Sequence, residues 1–305
     1  HAGIGELIVK NTDSIMVKYP IKGFDSTRRD YTEIEKQGFV RQSMASGIIV
    51  EKAVSKLLPW PHCLEREKTF YPFLLFSKKR YVAIKYEDPE KPEVIHSGVV
   101  STRRDNANIV KMIINPTFDI ILYEMNVEKA VNYVQEQVQL MLNKEKFVLD
   151  DFKISVALKK VKKVKQAQHI LAERITRRDP GNAPQMNDRM FYIYIKLTKK
   201  QEQMIIAEQN SSTKHTTKLI THKNISKPKI KTNIDAGYKI ETPEYIRENN
   251  IPIDYYHYLT NQLIKPIIDL FKTEFDDAEE HIFGKIKNDY FLKSNNMQQI
   301  TDFFS

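Results

Sequence analysis

The chain has few of the residues that build disulfide scaffolds, cysteine-based zinc sites or membrane spans. Cys63 is the only cysteine among 305 residues, which excludes a disulfide framework within the chain and a zinc site built on cysteines. No apolar run reaches the roughly 20 residues that a membrane-spanning helix needs, so no membrane partner is expected. No signal peptide precedes His1, which is not a plausible native start. We expect a fragment of an intracellular protein.

The charge balance favours a polyanionic partner. Lysine and arginine number 48 against 39 acidic residues, which gives a formal net charge of +9, and the isoelectric point is about 9.2. Such an excess is typical of domains that bind nucleic acid. With 305 residues the chain can bury a sizeable core, and its length predicts two folded units.

Residues 64–86 carry the most informative pattern. They predict two strands, because residues 69–77 are apolar and aromatic and residues 81–86 alternate. Three adjacent cations, Lys78, Lys79 and Arg80, occupy the predicted turn between them. A second basic turn at 103–106 follows a strand-like run at 95–101. Either turn could be a solvated hairpin tip, but two cationic turns at the ends of neighbouring strands would line one sheet edge that binds a phosphate backbone.

Apolar periodicity predicts helices elsewhere in the chain. A capping box at Asp30 and Glu33 opens the first of them, and Pro residues at 59 and 61 end it. Its predicted core face consists of Ala45, Ile49, Ala53 and Leu57. The spacing of Val127, Val131, Val134 and Val138 predicts a second helix. A closing helix at 255–270 should be kinked by Pro266. Residues 199–239 are polar and lysine-rich, and we expect an extended basic loop there, disordered in part.

Several segments together resemble family B DNA polymerases. LEREKTFYPFLLFSKKRY and GVVSTRRDN resemble the palm of these enzymes and are most similar to the delta-type catalytic subunit and its relatives in large DNA viruses. TDSIMV at 12–17 resembles the end of the family's YGDTDS box. KQAQHILAERITRRDPGNAPQMNDRMFYI at 165–193 resembles a thumb segment. The blocks cover about two-thirds of the chain and occur in the family's order, which is more specific than any single motif.

The resemblance implies an α+β fold with two parts. Residues 12–102 would form the C-terminal half of the palm, an antiparallel sheet with packed helices. Residues 103–285 would form a mostly helical thumb with a basic insert at about 198–240. Residues 1–11 would be a leader strand, and residues 286–305 a tail.

The implied activity is DNA-directed DNA polymerase, which adds deoxynucleotides to a primer 3′ end by two-metal phosphoryl transfer. Asp13 would be a catalytic ligand of two Mg²⁺ ions, and resemblance places Glu65 and Glu67 near these metals. An Asx turn at Asp13 and a pair of surface acids at Glu65 and Glu67 are the alternatives. The partner aspartate and the fingers would lie upstream, so this fragment alone should be inactive.

Predicted DNA contacts lie in both parts. Lys79 and Tyr81 match the family's Lys-x-Tyr element, which touches the primer end from the minor groove. Lysines at 159–165 lie directly before the thumb-like AQHILAERITRRDPG, and either a solvated face or contact with the duplex backbone explains them. The DNA-binding residues predicted in this way are Lys78, Lys79, Arg80, Tyr81, Arg103, Arg104, Asn106, Lys159, Lys160, Arg174 and Arg178.

The start of the chain departs from the family pattern. The family has Tyr-Gly-Asp before Thr-Asp-Ser, whereas this chain has Val9-Lys10-Asn11. Residues 1–11 resemble the C-terminal remnant of an intein, with Asn11 and Thr12 at the splice junction, although Lys10 replaces the usual histidine. The alternative is a true substitution, which would leave a catalytically inactive module that binds DNA and a sliding clamp.

The C-terminal tail resembles the peptide that docks on sliding clamps. Met297, Ile300, Phe303 and Phe304 take the four key positions, with Met297 in place of the usual glutamine. A frayed terminus with chance aromatics is the alternative. The implied partners are primer–template DNA, deoxynucleoside triphosphates, the upstream remainder of the polymerase and a sliding clamp. The implied location is the nucleus or a viral replication site.

Overall fold

The computed structural model describes residues 6–10, 14–25, 27–161, 165–218, 233–272 and 274–294. The chain divides into two compact units. The first unit contains residues 1–103 and 114–134, and the second contains residues 104–113 and 135–305. Both combine helices with a small antiparallel sheet, so the predicted α+β class is confirmed. None of the helices in the described ranges is long and apolar enough to cross a membrane.

The first unit opens with a hairpin and a long helix. Its elements are β1 (Glu6–Lys10), β2 (Ile15–Lys18), α1 (Glu33–Ser55), β3 (Thr69–Ser77), β4 (Arg80–Tyr86) and β5 (Pro92–Ser97). Strands β1 and β2 pair with each other, and β3, β4 and β5 form a three-stranded antiparallel sheet with β4 in the centre. The central strand is the most buried, with Val82, Ala83, Ile84 and Tyr86 inside.

Helix α1 corrects two predictions. Its capping box is formed by Thr32 and Glu35, two residues later than predicted: the Thr32 amide donates to the Glu35 carboxylate at 2.8 Å, and the Glu35 amide donates to Thr32 Oγ1 at 3.3 Å. The buried face consists of Val40, Met44 and Gly47. The predicted core residues Ala45, Ile49, Ala53 and Leu57 are exposed.

The core face of α1 was predicted wrongly because the helix carries apolar residues on two faces. Gly47 lies on the face that packs inward, where a Cβ would come within 3.1 Å of the Arg66 side chain. The absence of a side chain at Gly47 therefore lets the segment before β3 approach the helix closely. Sequence periodicity could not distinguish this face from the stripe of Ala and Ile residues beside it.

Helices α2 (Asn108–Asp119) and α3 (Val127–Asn143) follow the sheet. The predicted amphipathic helix is confirmed in α3, where Ala130, Val134, Val138 and Met141 are buried. These residues recur every three or four positions, which is the spacing of one helical face.

The second unit contains a small sheet covered by a helix. Its further elements are β6 (Ile154–Ala157), α4 (Ala167–Arg178), β7 (Arg189–Tyr194), α5 (Lys199–Lys218), β8 (Ile240–Glu241), α6 (Pro243–Asn249), α7 (Tyr255–Tyr258), α8 (Ile264–Phe271) and α9 (Ala278–Ser294). Strand β7 lies between β6 and β8. Leu171 and Ala172 of α4 pack on the sheet against Leu158, Met190 and Ile240.

The basic segment after β7 begins as a helix, although we expected an extended loop from residue 199. The sequence contains a local reason for helix α5. The Thr198 amide donates to Gln201 Oε1 at 2.8 Å and the Gln201 amide donates to Thr198 Oγ1 at 3.3 Å, which is a capping box. Residues 219–232 lie outside the described residues.

The closing helix is not a regular α-helix throughout. A π-helical turn at Leu259–Leu263 separates α7 from α8, and Pro266 lies in the first turn of α8. The helical backbone continues from the π-helical turn into α8, since Leu263 and Ile264 both have right-handed helical conformations. The prediction that Pro266 kinks the helix stays a prediction.

His257 on α7 makes the stability of the second unit depend on pH. Its ring stacks on Tyr194 with centroids 3.6 Å apart. Burial lowers the pKa of His257 below its usual value, against an opposing effect of Asp254. As the pH falls, the unfolded chain therefore binds the proton at His257 before the folded chain does. The stabilisation from the neutral, buried His257 ring is present above about pH 6.5 and is lost as the pH falls below it. We expect the free energy of unfolding to fall between about pH 7 and pH 5. In urea titrations at several pH values, the free energy of unfolding of His257→Asn should change less with pH than that of the parent. An equal change with pH in the two proteins would contradict this prediction.

Candidate nucleic-acid interface

The β3–β4 hairpin presents two lysines at its tip. Ser77 pairs with Arg80, which leaves Lys78 and Lys79 as the two central residues of the turn. Lys79 has a φ of +65°, in the left-handed region that lysine rarely adopts. Both lysine side chains are exposed, while Arg80 and Tyr81 are half-buried. The hairpin therefore projects two ammonium groups from a sheet edge.

Gly98, directly after β5, packs against the backbone of the β3–β4 turn. Its φ is +58°, and a Cβ at this position would lie 2.4 Å from the Lys79 carbonyl oxygen. Ser97 Oγ also donates to that oxygen at 3.4 Å. Gly98 ends β5 four residues before the predicted end of the strand, and a 3₁₀ turn at Val100–Thr102 follows. Only glycine fits both the backbone conformation and the close approach.

A cleft of 1260 Å³ in the first unit gathers residues that the sequence analysis singled out. Ser14, Glu65, Glu67, Lys79 and Tyr81 all line it. The Tyr81 ring packs against two further aromatic rings, with centroid distances of 5.5 Å to Phe70 and 5.3 Å to Phe73. These contacts fix the orientation of Tyr81 at the cleft wall.

The carboxylates of the cleft have the donor chemistry of a Mg²⁺ site. Glu65 and Glu67 supply the hard oxygen atoms that Mg²⁺ prefers, and Glu67 also pairs with Lys68 at 2.5 Å. Among the described residues, no group of three His, Cys, Asp or Glu side chains could hold a metal ion. The predicted ligand Asp13 and the junction residues Asn11 and Thr12 lie outside the described residues. Ser14, the first described residue after them, lines the cleft.

The second basic turn follows the 3₁₀ turn after β5. Arg103 and Arg104 are exposed, and Asn106 is half-buried. Arg103 belongs to the first unit and Arg104 to the second. The prediction that both basic turns contribute to one surface stays a prediction.

The second unit presents Lys159 and Lys160 just after β6. Both are exposed. The backbone of Lys159 is held by the buried His169 of α4, whose Nε2 donates to the Lys159 carbonyl at 2.5 Å. His169 Nδ1 accepts from the Gln166 amide at 3.1 Å, which fixes the tautomer. His169 is thus a positioning residue for the lysine segment, and the sequence analysis missed it.

Arg174 and Arg178, also predicted to bind DNA, both pair with a buried carboxylate, although Arg174 is half-buried and Arg178 is exposed. Both guanidinium groups donate to Glu241, a carboxylate with 0% exposure. The Arg178 contacts measure 2.8 Å and 3.2 Å. Arg174 also donates to the carbonyls of Gly237 at 2.9 Å and Ile240 at 3.0 Å. These contacts give both arginines a structural role in joining α4 to β8.

Comparison with known proteins assigns the chain to a family. A model described as DNA polymerase family B matches residues 7–274. The chain belongs to DNA polymerase family B. It is 34% identical over 305 residues to a DNA polymerase of Acanthamoeba polyphaga mimivirus, covering 99% of this chain and 16% of the viral protein. It is 36% identical over 268 residues to a DNA polymerase of Pyramimonas orientalis virus, covering 87% and 19%.

A cellular member of family B is also similar. The DNA polymerase delta catalytic subunit of Caenorhabditis elegans is 28% identical over 285 residues, which cover 91% of this chain and 21% of that protein. The chain thus spans about a fifth of the length of these family B relatives. The family match covers residues from both units. The clamp-like residues Met297, Ile300, Phe303 and Phe304 lie beyond the match and outside the described residues.

Proposed function

We propose that this chain supplies the C-terminal half of the palm and the thumb of a family B DNA polymerase, and that the palm cleft receives the primer end. The observation that carries the proposal is the cleft itself, which brings Glu65, Glu67, Lys79 and Tyr81 together beside Ser14. The family match supports the same reading. The palm would end near residue 102, whereas the first unit contains residues 114–134 in addition to residues 1–103.

Each cleft residue has a distinct proposed role. Asp13, together with Glu65 or Glu67 and an upstream aspartate, would hold Mg²⁺, which supplies activation of the primer 3′-hydroxyl and neutralisation of the triphosphate charge. Lys79 would donate to the minor-groove acceptors that every base pair presents. The Tyr81 ring would pack against the primer sugar. These contacts test pairing geometry without reading the sequence.

A substitution at Lys79 tests the proposed primer contact. Lys79→Ala should weaken binding of primer–template DNA by about 10-fold, because it removes a charged hydrogen-bond donor. Fluorescence anisotropy with a labelled primer measures this. Lys52→Ala is the matched control, since Lys52 is an exposed lysine on α1 of the same unit. Equal affinities for the two variants would remove the basis for the assignment of Lys79.

A primer-extension assay tests whether the fragment binds DNA but needs the upstream part of the polymerase for catalysis. The isolated fragment should bind primer–template DNA and fail to extend it, since the fingers and the second catalytic aspartate would lie upstream. Template-dependent synthesis above background would contradict the expected inactivity of the isolated fragment.

Whether Asn11 remains in the mature protein decides between an active polymerase and an inactive DNA-binding relative. We propose that residues 1–11 are removed by splicing, because an asparagine amide is a weaker Mg²⁺ ligand than a carboxylate. The pairing of β1 with β2 and the start of the family match at residue 7 favour the alternative, in which these residues are retained. Mass spectrometry of the mature protein should find a peptide that runs Tyr-Gly-Asp directly into Thr12. A peptide that retains Lys10 and Asn11 would instead favour the inactive module.

The tail is proposed to dock on a sliding clamp at a nuclear or viral replication site. Ile300, Phe303 and Phe304 would fill an apolar pocket on the clamp. Replacing both phenylalanines with alanine should abolish capture by immobilised clamp, while Met297→Gln, which restores the usual residue, should strengthen it. Capture that is indifferent to both changes would argue against a clamp-binding tail.

A further inference from the structure

One face of the thumb sheet combines cations with an exposed aromatic ring. In β7, Met190 and Tyr192 pack on the side of α4, whereas Phe191 between them forms a cross-strand pair with Ser155 on the opposite side, next to the pair of Ala157 and Arg189. We call this second side the outer strip. It consists of Lys153, Ser155, Ala157, Arg189 and Phe191, and the exposed Lys159 follows two residues after the end of β6. The Asp150 carboxylate pairs with Lys153 at 3.5 Å.

The outer strip has an ordered geometry. Lys153 Nζ lies 5.9 Å from the centroid of the Phe191 ring. Arg189 Nη1 donates to Ser155 Oγ at 2.8 Å, which ties the guanidinium group to the neighbouring strand. Phe191 is 48% exposed although it is large and apolar. Its neighbours Ser155 and Ala157 are small, so a planar group could lie beside the ring without displacing a side chain.

This combination matches the requirements of an unpaired nucleic-acid strand. Such strands bind where bases stack on aromatic rings and cations follow the backbone. An exposed ring gives no comparable gain with a duplex, because paired bases expose no face for stacking. The three cations Lys153, Lys159 and Arg189 complement a phosphate backbone, although the Asp150 carboxylate lies 3.5 Å from Lys153 Nζ and offsets part of its charge.

We propose that the outer strip binds single-stranded DNA, with one base stacked on Phe191 and the backbone following Lys153, Arg189 and Lys159. The inference rests on the proposed polymerase function for its choice of DNA. It adds a site for an unpaired strand, distinct from the palm cleft that receives the primer end. Because every base has a stacking face, binding should show little sequence preference.

The test measures anisotropy of a labelled oligothymidylate of about 12 nucleotides with the whole chain. Phe191→Ala should weaken this binding by at least about 5-fold, and Phe191→Tyr should retain it, since the ring remains. Lys153→Ala and Arg189→Ala should each reduce the salt dependence by roughly 0.7 in logarithmic slope. A blunt duplex should bind Phe191→Ala and the parent equally.

Phe291→Ala is the matched control, because Phe291 is another exposed phenylalanine of the same unit, 63% accessible on α9. Circular dichroism verifies that each variant is folded. Oligothymidylate affinity that is the same for Phe191→Ala and the parent overturns the inference. Duplex binding without oligothymidylate binding also overturns it and leaves the proposed function standing. Ring-dependent oligothymidylate binding without any duplex binding supports the inference and counts against the proposed function.

Discussion

Replacement of Glu241 by alanine should destabilise the second unit by about 3–5 kcal/mol. Glu241 is fully buried and accepts from both Arg174 and Arg178. Its removal would leave two guanidinium groups facing each other with no counter-charge, and the Glu241 contact with the Thr242 amide would also be lost. Urea unfolding followed by circular dichroism measures the change, which is a large part of the stability of a typical domain.

An exposed ion pair of the same unit supplies the control. Asp150 pairs with Arg247 and, at 3.5 Å, with Lys153, and all three side chains are between one-third and one-half exposed, so Asp150→Ala should cost no more than about 1 kcal/mol. Glu241→Gln should fall between the two, since it keeps an acceptor oxygen and loses the charge. Similar costs for Glu241→Ala and Asp150→Ala would show that the buried network contributes no more than a surface pair.

The Glu241 variants also separate structure from DNA binding. If Arg174 and Arg178 serve the fold, a folded Glu241→Gln protein should keep the parent's affinity for duplex DNA. A rise in affinity on release of the two guanidinium groups would support the prediction that both arginines bind DNA, which stays a prediction.

Replacement of Gly98 by alanine should displace the basic hairpin. A Cβ would lie 2.4 Å from the Lys79 carbonyl, and the φ of +58° is unfavourable for any side chain. Backbone strain of this kind costs on the order of 1–3 kcal/mol, before the clash is relieved. Relief requires the Lys78–Lys79 tip to move away from β5. We expect lower stability together with a loss of primer–template affinity comparable to that of Lys79→Ala.

Gly38 is the matched control for Gly98. It lies inside α1, and a Cβ there would meet nothing within 4 Å. Gly38→Ala should stabilise the unit by about 0.5–1 kcal/mol, because alanine loses less conformational freedom in a helix. Parallel measurements of unfolding and DNA binding would distinguish a displaced turn from a general glycine effect. A Gly98→Ala protein with the parent's DNA affinity would contradict the proposed support of Lys79.

The sequence predicted local features where one signal dominated. Alternating residues identified β4, and the cations between two apolar runs identified the hairpin tip. The valine spacing of α3 was equally clear. In each case the pattern is short in range and has one interpretation.

The failures have different physical causes. Helix α1 has apolar residues on two faces, and only packing against Arg66 selects the face that contains Gly47. Helix α5 was missed because overall polarity was given more weight than the Thr198–Gln201 capping box. The partners of Arg174 and Arg178 lie more than 60 residues away, and no local pattern indicates a tertiary ion pair. His169 reads as an ordinary helix residue until its acceptor at Lys159 is seen.

Cys63 allows the position of the primer end to be measured directly. It is the only cysteine, it is exposed, and it lines the cleft together with Lys79 and Tyr81. A thiol-linked photocrosslinker at Cys63, with Cys63→Ser as the negative control, should react with the primer strand within a few nucleotides of its 3′ end. Crosslinks distributed evenly along the duplex, or found only on single-stranded template far from the primer end, would contradict the assignment of this cleft.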